Sequence, residues 1–355
     1  MTIRNEVSSN SESKPLPRSF TFELTRRCNN RCGYCYNVWR APKFDYERNC
    51  PDEMSVEEIK KTISRLQEAT PLMNIGLSGG EPTLREDLPE IIAFIKSCGL
   101  NPVLVTNGTL LNEELVEEIE KAMVGGLYQV PLLSWRPEVH DQMVGRKGAW
   151  DAVIDGIMNV HSAGGHLSVV FVATRLNWLD LKATAELAMV LGADELVYSR
   201  VNVGGANLPL ANGLLPTPNM VERNLQTLDA IAAQHYLPVS IETVTEPCVV
   251  NIQHFTNLMF GWCPLAGEGS AFTIDPSGNV RICEHSPVIL GNIRRGHILD
   301  IVHHPYVESF RSTWPLECEG CDNSLREKCR GGCKAAAEQA YGSFVHVEPF
   351  VRMHR

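Results

Sequence analysis

Three cysteines in the pattern Cys28-x3-Cys32-x2-Cys35 directly follow a short apolar segment of this chain. Three thiolates can hold three irons of a 4Fe-4S cluster and leave the fourth iron open to a ligand, whereas a cluster with four thiolates only transfers electrons. A structural zinc site is the alternative, but zinc usually takes four ligands, and no histidine or fourth cysteine follows before Cys50. The spacing therefore favours a catalytic iron-sulfur cluster.

A second group of cysteines occupies the C-terminal third of the chain. They follow the pattern Cys263-x14-Gly278-x4-Cys283 and then Cys318-x2-Cys321-x7-Cys329-x3-Cys333. A zinc ribbon is again the alternative, but it needs four ligands, and this region offers six, or seven with Cys248. Seven thiolates approach the capacity of two cubane clusters.

Composition and charge set limits on the kind of protein. The chain has 355 residues, 12 of them cysteine, and 44% are hydrophobic, which suits a large α/β domain with an appendage. It shows no secretion signal and no apolar run approaching the roughly 20 residues of a membrane span, so we expect a cytoplasmic protein whose cysteines bind metal. A net charge of −10 disfavours nucleic-acid binding. Cys98 is expected to be a buried thiol, and Cys50 is given no role.

Alternation of strand-like and helix-like segments predicts an α/β fold, a partial (β/α)6 TIM-like barrel, over residues 19–243. Residues 1–18 are predicted to be a flexible tail, and residues 244–355 a small cysteine-rich domain. Ser55 and Glu58 form a capping-box pattern at the start of the first helix. The predicted strands are Phe20–Leu24, Met73–Leu77, Val103–Thr106, Tyr128–Leu133, Leu167–Ala173 and Glu195–Arg200.

Several polar or glycine-containing segments follow these predicted strands, at the edge where ligands collect in such architectures. Each could be an ordinary turn, although paired glycines also allow close approach of a ligand to the backbone. The segments contain Gly79, Gly80, Glu81 and Pro82 after the second strand, Thr106 and Asn107 after the third, Ser134 after the fourth, Asn177 after the fifth and Val201 after the sixth.

With Tyr34 before its third cysteine, the first motif reads CxxxCxφC, φ being aromatic, and resembles the signature of the radical S-adenosylmethionine (SAM) enzymes. The resemblance implies that the open iron chelates SAM and that Tyr34 lies against its adenine. It also implies that the Gly79–Pro82 segment contacts the methionine amino group, and that Thr106–Asn107 matches a further family position. Ser134 and Asn177 would reach the ribose and carboxylate, and Val201 the adenine. His140 and Asp141 resemble a segment of related enzymes and would serve proton transfer, or only hydrogen bonding between loop and helix.

The C-terminal pattern resembles the SPASM domain, which holds two auxiliary 4Fe-4S clusters. The resemblance implies one cluster on Cys263, Cys283 and Cys333, with Cys248 as the best candidate for its fourth ligand, and a second on Cys318, Cys321 and Cys329. The gap before Cys329 is longer than in the family, and no cysteine follows Cys333. The second cluster would therefore use His346, Glu348 or His354, borrow Cys248, or keep an open iron. Residues 272–280 are predicted to form a β-hairpin.

The resemblance implies cleavage of SAM to a 5′-deoxyadenosyl radical that takes hydrogen from a substrate carbon. The leading hypothesis is oxidative modification or crosslinking of a ribosomally made peptide. The alternative is oxidation or decarboxylation of a small molecule such as a tetrapyrrole, a sugar or a cofactor precursor, and an electron-transfer protein without SAM chemistry is a third possibility. A flavodoxin- or ferredoxin-type reductant is expected. Because the barrel begins near residue 19, the sequence leaves no room before it for a leader-binding domain, which either counts against a peptide substrate or implies a separate leader-binding protein.

Overall fold

The computed structural model describes residues 16–39, 52–263 and 271–354, so Cys50 lies outside the described part. In that part, eleven strands form one sheet. Their bounds are β1 Ser19–Glu23, β2 Asn74–Ser78, β3 Asn101–Val105, β4 Leu127–Pro131, β5 His166–Ala173, β6 Glu195–Arg200, β7 Val239–Ile241, β8 Met259–Phe260, β9 Ala271–Ile274, β10 Asn279–Arg281 and β11 Ile289–Asn292.

The strands from β1 to β8 run parallel and pair in sequence order, and all six predicted strands are among them. The prediction of an α/β fold with a TIM-like partial barrel is confirmed. The strands β7 and β8 were not predicted, because three and two residues are too short to show a period in the sequence. Their pairing continues the curved sheet beyond the sixth unit.

Helices separate most of these strands. Ser55 caps the first one as predicted: its side chain accepts from the Glu58 N–H, and the Glu58 carboxylate accepts from the Ser55 N–H at 2.9 Å. Such a cap contributes about 1 kcal/mol. The helices are α1 Val56–Ala69, α2 Leu88–Ser97, α3 Glu113–Met123, α4 Pro137–Val144, α5 Ala149–Ser162, α6 Leu181–Val190, α7 Ala211–Leu214, α8 Pro218–His235, α9 Ile298–Val302, α10 Pro305–Ser312, α11 Arg326–Cys329, α12 Lys334–Tyr341 and α13 Pro349–Arg352. None of the described helices is long and apolar enough to cross a membrane.

The predicted hairpin is present as β9 and β10, and it does more than support the cysteines. The Asp275 carboxylate accepts from the backbone N–H groups of Ser277 and Asn279, both at 2.9 Å, which fixes the turn. Strand β9 pairs in parallel with β1, and Phe20 stacks on Phe272 at 5.9 Å between ring centres. The sheet therefore crosses the predicted boundary at residue 243, and the cysteine-rich region is built onto the first barrel strand.

Candidate active site and auxiliary cysteine sites

The three N-terminal cysteines lie on a loop that leaves the C-terminal end of β1 and runs beside the end of β2. Backbone hydrogen bonds of 2.8 Å join the two segments: the Leu24 N–H donates to Ser78 and the Gly80 N–H to Thr25. A third, also 2.8 Å, runs from the Glu81 N–H to Arg27, next to Cys28. We call residues 25–39 the cysteine loop. The start of this loop therefore continues the hydrogen-bond ladder of the sheet.

The paired glycines after β2 make this approach possible. A Cβ atom on Gly80 would lie 2.0 Å from the Arg27 carbonyl oxygen, and one on Gly79 would lie 2.6 Å from that of Thr25. Gly79 also has a φ of 126°, a region that side chains disfavour. From the sequence, we expected a ligand in the space beside these two glycines. Here the backbone of the cysteine loop occupies it, so the glycines hold the cysteines in place.

Glu81 connects the ends of β2 and β3 from inside the protein. Its buried carboxylate accepts from the Thr83 hydroxyl at 2.6 Å and from the Asn107 N–H at 2.7 Å, and it also accepts from the Thr106 hydroxyl. Burial raises the pKa of Glu81, although these hydrogen bonds counteract the rise. Pro82, also buried, begins the short helical turn that follows. The side chains of Glu81 and Thr106 are thus used within the protein.

Two further contacts hold the cysteine loop from other sides. Asn29, between the first two cysteines, accepts from the Asn107 amide at 2.8 Å and donates to the Thr109 hydroxyl at 2.9 Å. At the C-terminal end of α4, Val144 accepts from the Arg31 N–H at 2.8 Å. The ends of three different elements therefore position the cysteines, and Asn29 is a positioning residue that the sequence interpretation overlooked.

The polar residues that follow β4 and β5 are also bonded internally. The buried Ser134 hydroxyl donates to Asp180 at 2.7 Å. The Asn177 amide donates to the Leu133 and Val172 carbonyls at 2.8 and 3.0 Å and accepts from the Thr174 hydroxyl. Each side chain joins the ends of neighbouring elements, so the direct SAM contacts implied by the family resemblance remain predictions for Ser134 and Asn177. The buried Val201 follows β6 and extends its pairing, with its N–H donating to Ala173.

His140 and Asp141 have structural partners that match the hydrogen-bonding alternative. Nδ1 of the buried His140 accepts from the Leu133 N–H at 3.3 Å. The Asp141 carboxylate accepts from the N–H groups of Gly148 and Trp150, at 2.6 and 2.9 Å, and so caps α5. Burial lowers the pKa of His140 to about 4, with Asp141 counteracting the shift weakly. The imidazole is neutral at physiological pH and is enclosed in the protein.

We expect this histidine to make stability depend on pH. The unfolded chain binds a proton at His140 near pH 6.5 and the native chain only near pH 4, so acid favours unfolding. Between pH 8 and pH 5 the free energy of unfolding should fall by about 2 kcal/mol more in the wild type than in His140→Gln. Glutamine keeps a hydrogen-bond acceptor for the Leu133 N–H. Urea unfolding at both pH values measures this difference. Equal losses in the two proteins would show that His140 titrates normally.

Tyr36, next to Cys35, connects the cysteine loop to the C-terminal cysteines. Its hydroxyl donates to Glu284 at 2.7 Å, and its ring stacks on His285 with 3.9 Å between centres. Both partners directly follow Cys283 in the sequence. Within the loop itself, the Tyr34 carbonyl accepts from the Asn207 amide at 2.8 Å. The sequence contained no signal for the contact between Tyr36 and Glu284, because 248 positions separate the two residues.

The SPASM resemblance predicts that Cys263, Cys283 and Cys333 form the first auxiliary set. Burial and the neighbouring Cys263 raise the pKa of Cys283 to about 12, and burial, with Glu348 and Cys283 adding to it, raises the pKa of Cys333. The Asn202 amide donates to the Cys333 sulfur at 3.5 Å and lies 3.3 Å from the His285 ring. This set therefore lies close to Tyr36 and the cysteine loop.

Cys248 lies beside the second set of C-terminal cysteines. It lines a cavity of about 370 Å³ together with Cys318, Cys321 and Cys329, and none of the first set lines that cavity. This placement gives no support to the prediction that Cys248 completes the first set, although only fourteen residues separate it from Cys263 in sequence. The alternative that the second set borrows Cys248 agrees with the structure.

The other candidates for the second set are engaged away from this cavity. His346 pairs with Glu317 at 3.1 Å. The Glu348 carboxylate accepts from the Cys333 N–H at 2.9 Å and pairs with the buried Arg200 at 3.0 Å. The ring of His354 lies 5.4 Å from that of Phe350. None of the three lines the cavity.

The eleven described cysteines are thiols rather than disulfides. Among the described residues, no three histidine, cysteine or acidic side chains converge closely enough to hold a single metal ion. A zinc site requires such convergence, whereas in a cubane each thiolate binds a different iron. Thiolates arranged in groups of three and four fit 4Fe-4S clusters better than single ions.

Comparison with known families agrees with this donor set. Residues 22–188 match the model of the radical SAM superfamily, and residues 263–334 match that of SPASM, an iron-sulfur cluster-binding domain. The chain belongs to the radical SAM superfamily and carries a SPASM domain. This radical SAM protein is an enzyme whose cofactors are 4Fe-4S clusters and SAM.

Individual relatives cover almost the whole radical SAM protein. It is 29% identical over 349 residues to an AdoMet-dependent heme synthase of Methanosarcina barkeri, covering 94% of this chain and 96% of the relative. It is 26% identical over 348 residues to a PqqA peptide cyclase of Gluconobacter oxydans, covering 94% and 90%. The crystal structure of Streptococcus suis SuiB with S-adenosylmethionine superposes with a TM-score of 0.72 at 15% identity, over 95% of this chain and 77% of SuiB, which shows the shared fold.

Proposed function

We propose that this enzyme cleaves SAM reductively at a cluster held by Cys28, Cys32 and Cys35 and oxidises a ribosomally made peptide at an unactivated carbon. When bound, the cluster and SAM supply the 5′-deoxyadenosyl radical that abstracts hydrogen. The observation that carries the proposal is the placement of these three cysteines on a loop clamped by the ends of β2, β3 and α4. Such clamping preorganises the thiolates at the edge of the barrel where active sites form.

The residues around the cysteine loop act mainly by positioning it. Gly79 and Gly80 admit the loop backbone, and Glu81 ties the end of β2 to the turn after β3. The Asn107 side-chain amide in turn donates a hydrogen bond to Asn29, within the cysteine motif. In this proposal these residues shape the SAM pocket through the loop that they hold.

A peptide substrate is supported by the similarity to the PqqA peptide cyclases and by the charge near the site. Glu284 bonds to Tyr36 of the cysteine loop, and its pKa is raised by burial and by the nearby Glu242, whose own pKa burial also raises. Carboxyl groups that are costly to ionise carry less charge, which suits the neutral amides of a peptide. A separate protein that binds the leader segment and a flavodoxin- or ferredoxin-type reductant complete this proposal.

A tetrapyrrole is the second candidate, because the heme synthase of Methanosarcina barkeri is similar over almost its entire length. A second protein of that organism, an Fe-coproporphyrin III synthase, is 34% identical over 244 residues, but this chain spans only 57% of its length. Iron coproporphyrin III carries propionate groups, which would need cationic partners such as Arg26, Arg27 and Arg31.

Anaerobic turnover assays separate the two candidates. The reconstituted enzyme is incubated with SAM and dithionite, and either with Fe-coproporphyrin III or with synthetic peptides encoded by short reading frames beside its gene. We expect 5′-deoxyadenosine in both arms, and a peptide product lacking two hydrogens in the peptide arm. Loss of carbon dioxide from the porphyrin with unchanged peptides would favour the second candidate. Absence of 5′-deoxyadenosine in every arm would contradict the proposed chemistry itself.

A further inference from the structure

We infer that Cys248 supplies the fourth thiolate of the second auxiliary cluster, beside Cys318, Cys321 and Cys329. The inference rests on the proposed cluster chemistry, because it assigns ligands within the SPASM domain. It replaces the C-terminal cysteine of the family pattern, which this chain lacks after Cys333, with a residue that precedes the whole SPASM motif.

The first argument is spatial convergence. The four cysteines line one pocket, together with apolar and aromatic neighbours such as Trp314, Val347 and Val351. Four thiols that converge on one pocket are the donor set that a 4Fe-4S cluster uses.

The second argument is how the chain separates the two sets. Cys329 and Cys333 are joined by Arg330, Gly331 and Gly332, all three with φ between 48° and 84°. Such a run of left-handed residues turns the backbone sharply and places the two cysteines in different sites. A Cβ on Gly331 would lie 2.4 Å from Pro315 Cγ and 3.3 Å from the Cys318 sulfur, so this turn packs closely against the second set.

The third argument is how the segment around Cys248 is held against that turn. A Cβ on Gly332 would lie 2.1 Å from the carboxylate of Glu246, which is fully buried two residues before Cys248. The Val249 N–H donates to the Glu246 carbonyl at 2.9 Å and fixes the turn on which Cys248 lies. Cys248 is therefore brought to the cavity by a buried anchor, although the thiol-bearing residue itself is exposed.

The electrostatics of the cavity suit an anionic cluster with four thiolates. Arg326 lines it, and both Arg326 and Arg330 stack on Trp314, with 4.7 and 5.4 Å between the guanidinium carbon and the ring centre. Stacked guanidinium groups are held rigidly and can offset negative charge at low desolvation cost.

With Cys248 assigned to the second site, the site that lacks a fourth cysteine is the first one. Among the described cysteines, the first site keeps Cys263, Cys283 and Cys333, and it lies beside Asn202 and His285. A cluster held at the first site would then have three cysteine ligands among the described residues, and its fourth iron would be available to another ligand.

Iron content and electron paramagnetic resonance of the full-length reconstituted chain test the inference without requiring turnover. We expect Cys248→Ala and Cys318→Ala each to lose the signal of the same cluster and up to about four of about twelve irons. The double variant Cys248→Ala/Cys318→Ala should lose no more, whereas Cys248→Ala/Cys263→Ala should lose the signals of two clusters. Cys50→Ala and Cys98→Ala should keep all the iron.

Several results would overturn the inference. One is an unchanged spectrum in Cys248→Ala. Another is a loss of two cluster signals in Cys248→Ala/Cys318→Ala but of only one in Cys248→Ala/Cys263→Ala. A third is an iron content near four per chain in the wild type. Iron loss in Cys50→Ala would refute the incomplete first set. Alkylation of the wild type provides a check that does not depend on folding of the variants. Cys248 should be alkylated in the apoprotein and protected in the loaded protein, together with Cys318, Cys321 and Cys329. Alkylation of Cys248 in the fully loaded protein would contradict its role as a ligand.

Discussion

Replacing Cys28, Cys32 or Cys35 by alanine should reduce the formation of 5′-deoxyadenosine from SAM to the background level. Each thiolate holds one iron in the proposed site, and a cluster that loses a ligand neither binds SAM productively nor delivers its electron. Removing a metal-centred radical source leaves no alternative pathway, so the expected effect is larger than that of any substitution in the surrounding protein. Chromatographic quantification after anaerobic reconstitution measures it.

Cys98→Ala is the matched control, because Cys98 lies at the end of α2, away from the described cysteine sets. It should retain wild-type SAM cleavage. In the triad variants the two auxiliary clusters should remain, leaving about eight irons per chain. Wild-type SAM cleavage in any triad variant would rule out the assigned site.

Gly80→Ala should have the second-largest effect, although glycine at this position has no chemistry of its own. The new Cβ would lie 2.0 Å from the Arg27 carbonyl oxygen, so the cysteine loop must move away from the end of β2. Overpacking of this kind costs about 3 kcal/mol, which shifts the balance between docked and displaced loops by roughly 100-fold. We expect loss of the SAM-binding cluster, seen as a loss of about four irons together with SAM cleavage.

Gly213→Ala serves as the control, because no atom lies within 4 Å of its added Cβ. It should retain iron and SAM cleavage, and both variants should keep the far-ultraviolet circular dichroism of the wild type. If Gly80→Ala bound a full complement of iron and cleaved SAM normally, the close approach of the two loops would be unimportant for the site.

The sequence predicted the elements whose signals are local. The capping box at Ser55 and the six apolar strands are encoded within a few neighbouring residues, and both are present. Helix α4 was not predicted, because its eight residues begin at Pro137 in a largely polar segment. The pairing of β9 with β1 was also missed, because nothing in either strand specifies a partner that is distant in sequence.

The candidate site likewise combines features that the sequence predicted with features that it did not. The cysteine spacings identified the residue types and their approximate groups, since metal ligands leave a strong mark on sequence. The SPASM resemblance implied Cys248 as a ligand of the first set, whereas the buried Glu246 packs against Gly332 and brings Cys248 to the pocket of the second set. Likewise, Gly79 and Gly80 were interpreted as ligand-facing because sequence cannot tell whether a ligand or the protein backbone fills the space beside a glycine.

The pairing of β1 with β9 also bears on how this protein reaches its native state. β1 is synthesised early, yet its partner on one side leaves the ribosome only after residue 271 has been translated. Until then β1 is an edge strand, with unpaired backbone groups that invite association with other chains. A fragment ending at residue 243 would keep this exposed edge permanently and would be prone to aggregate. We therefore expect the SPASM region to support the solubility and assembly of the catalytic half by covering the edge of β1.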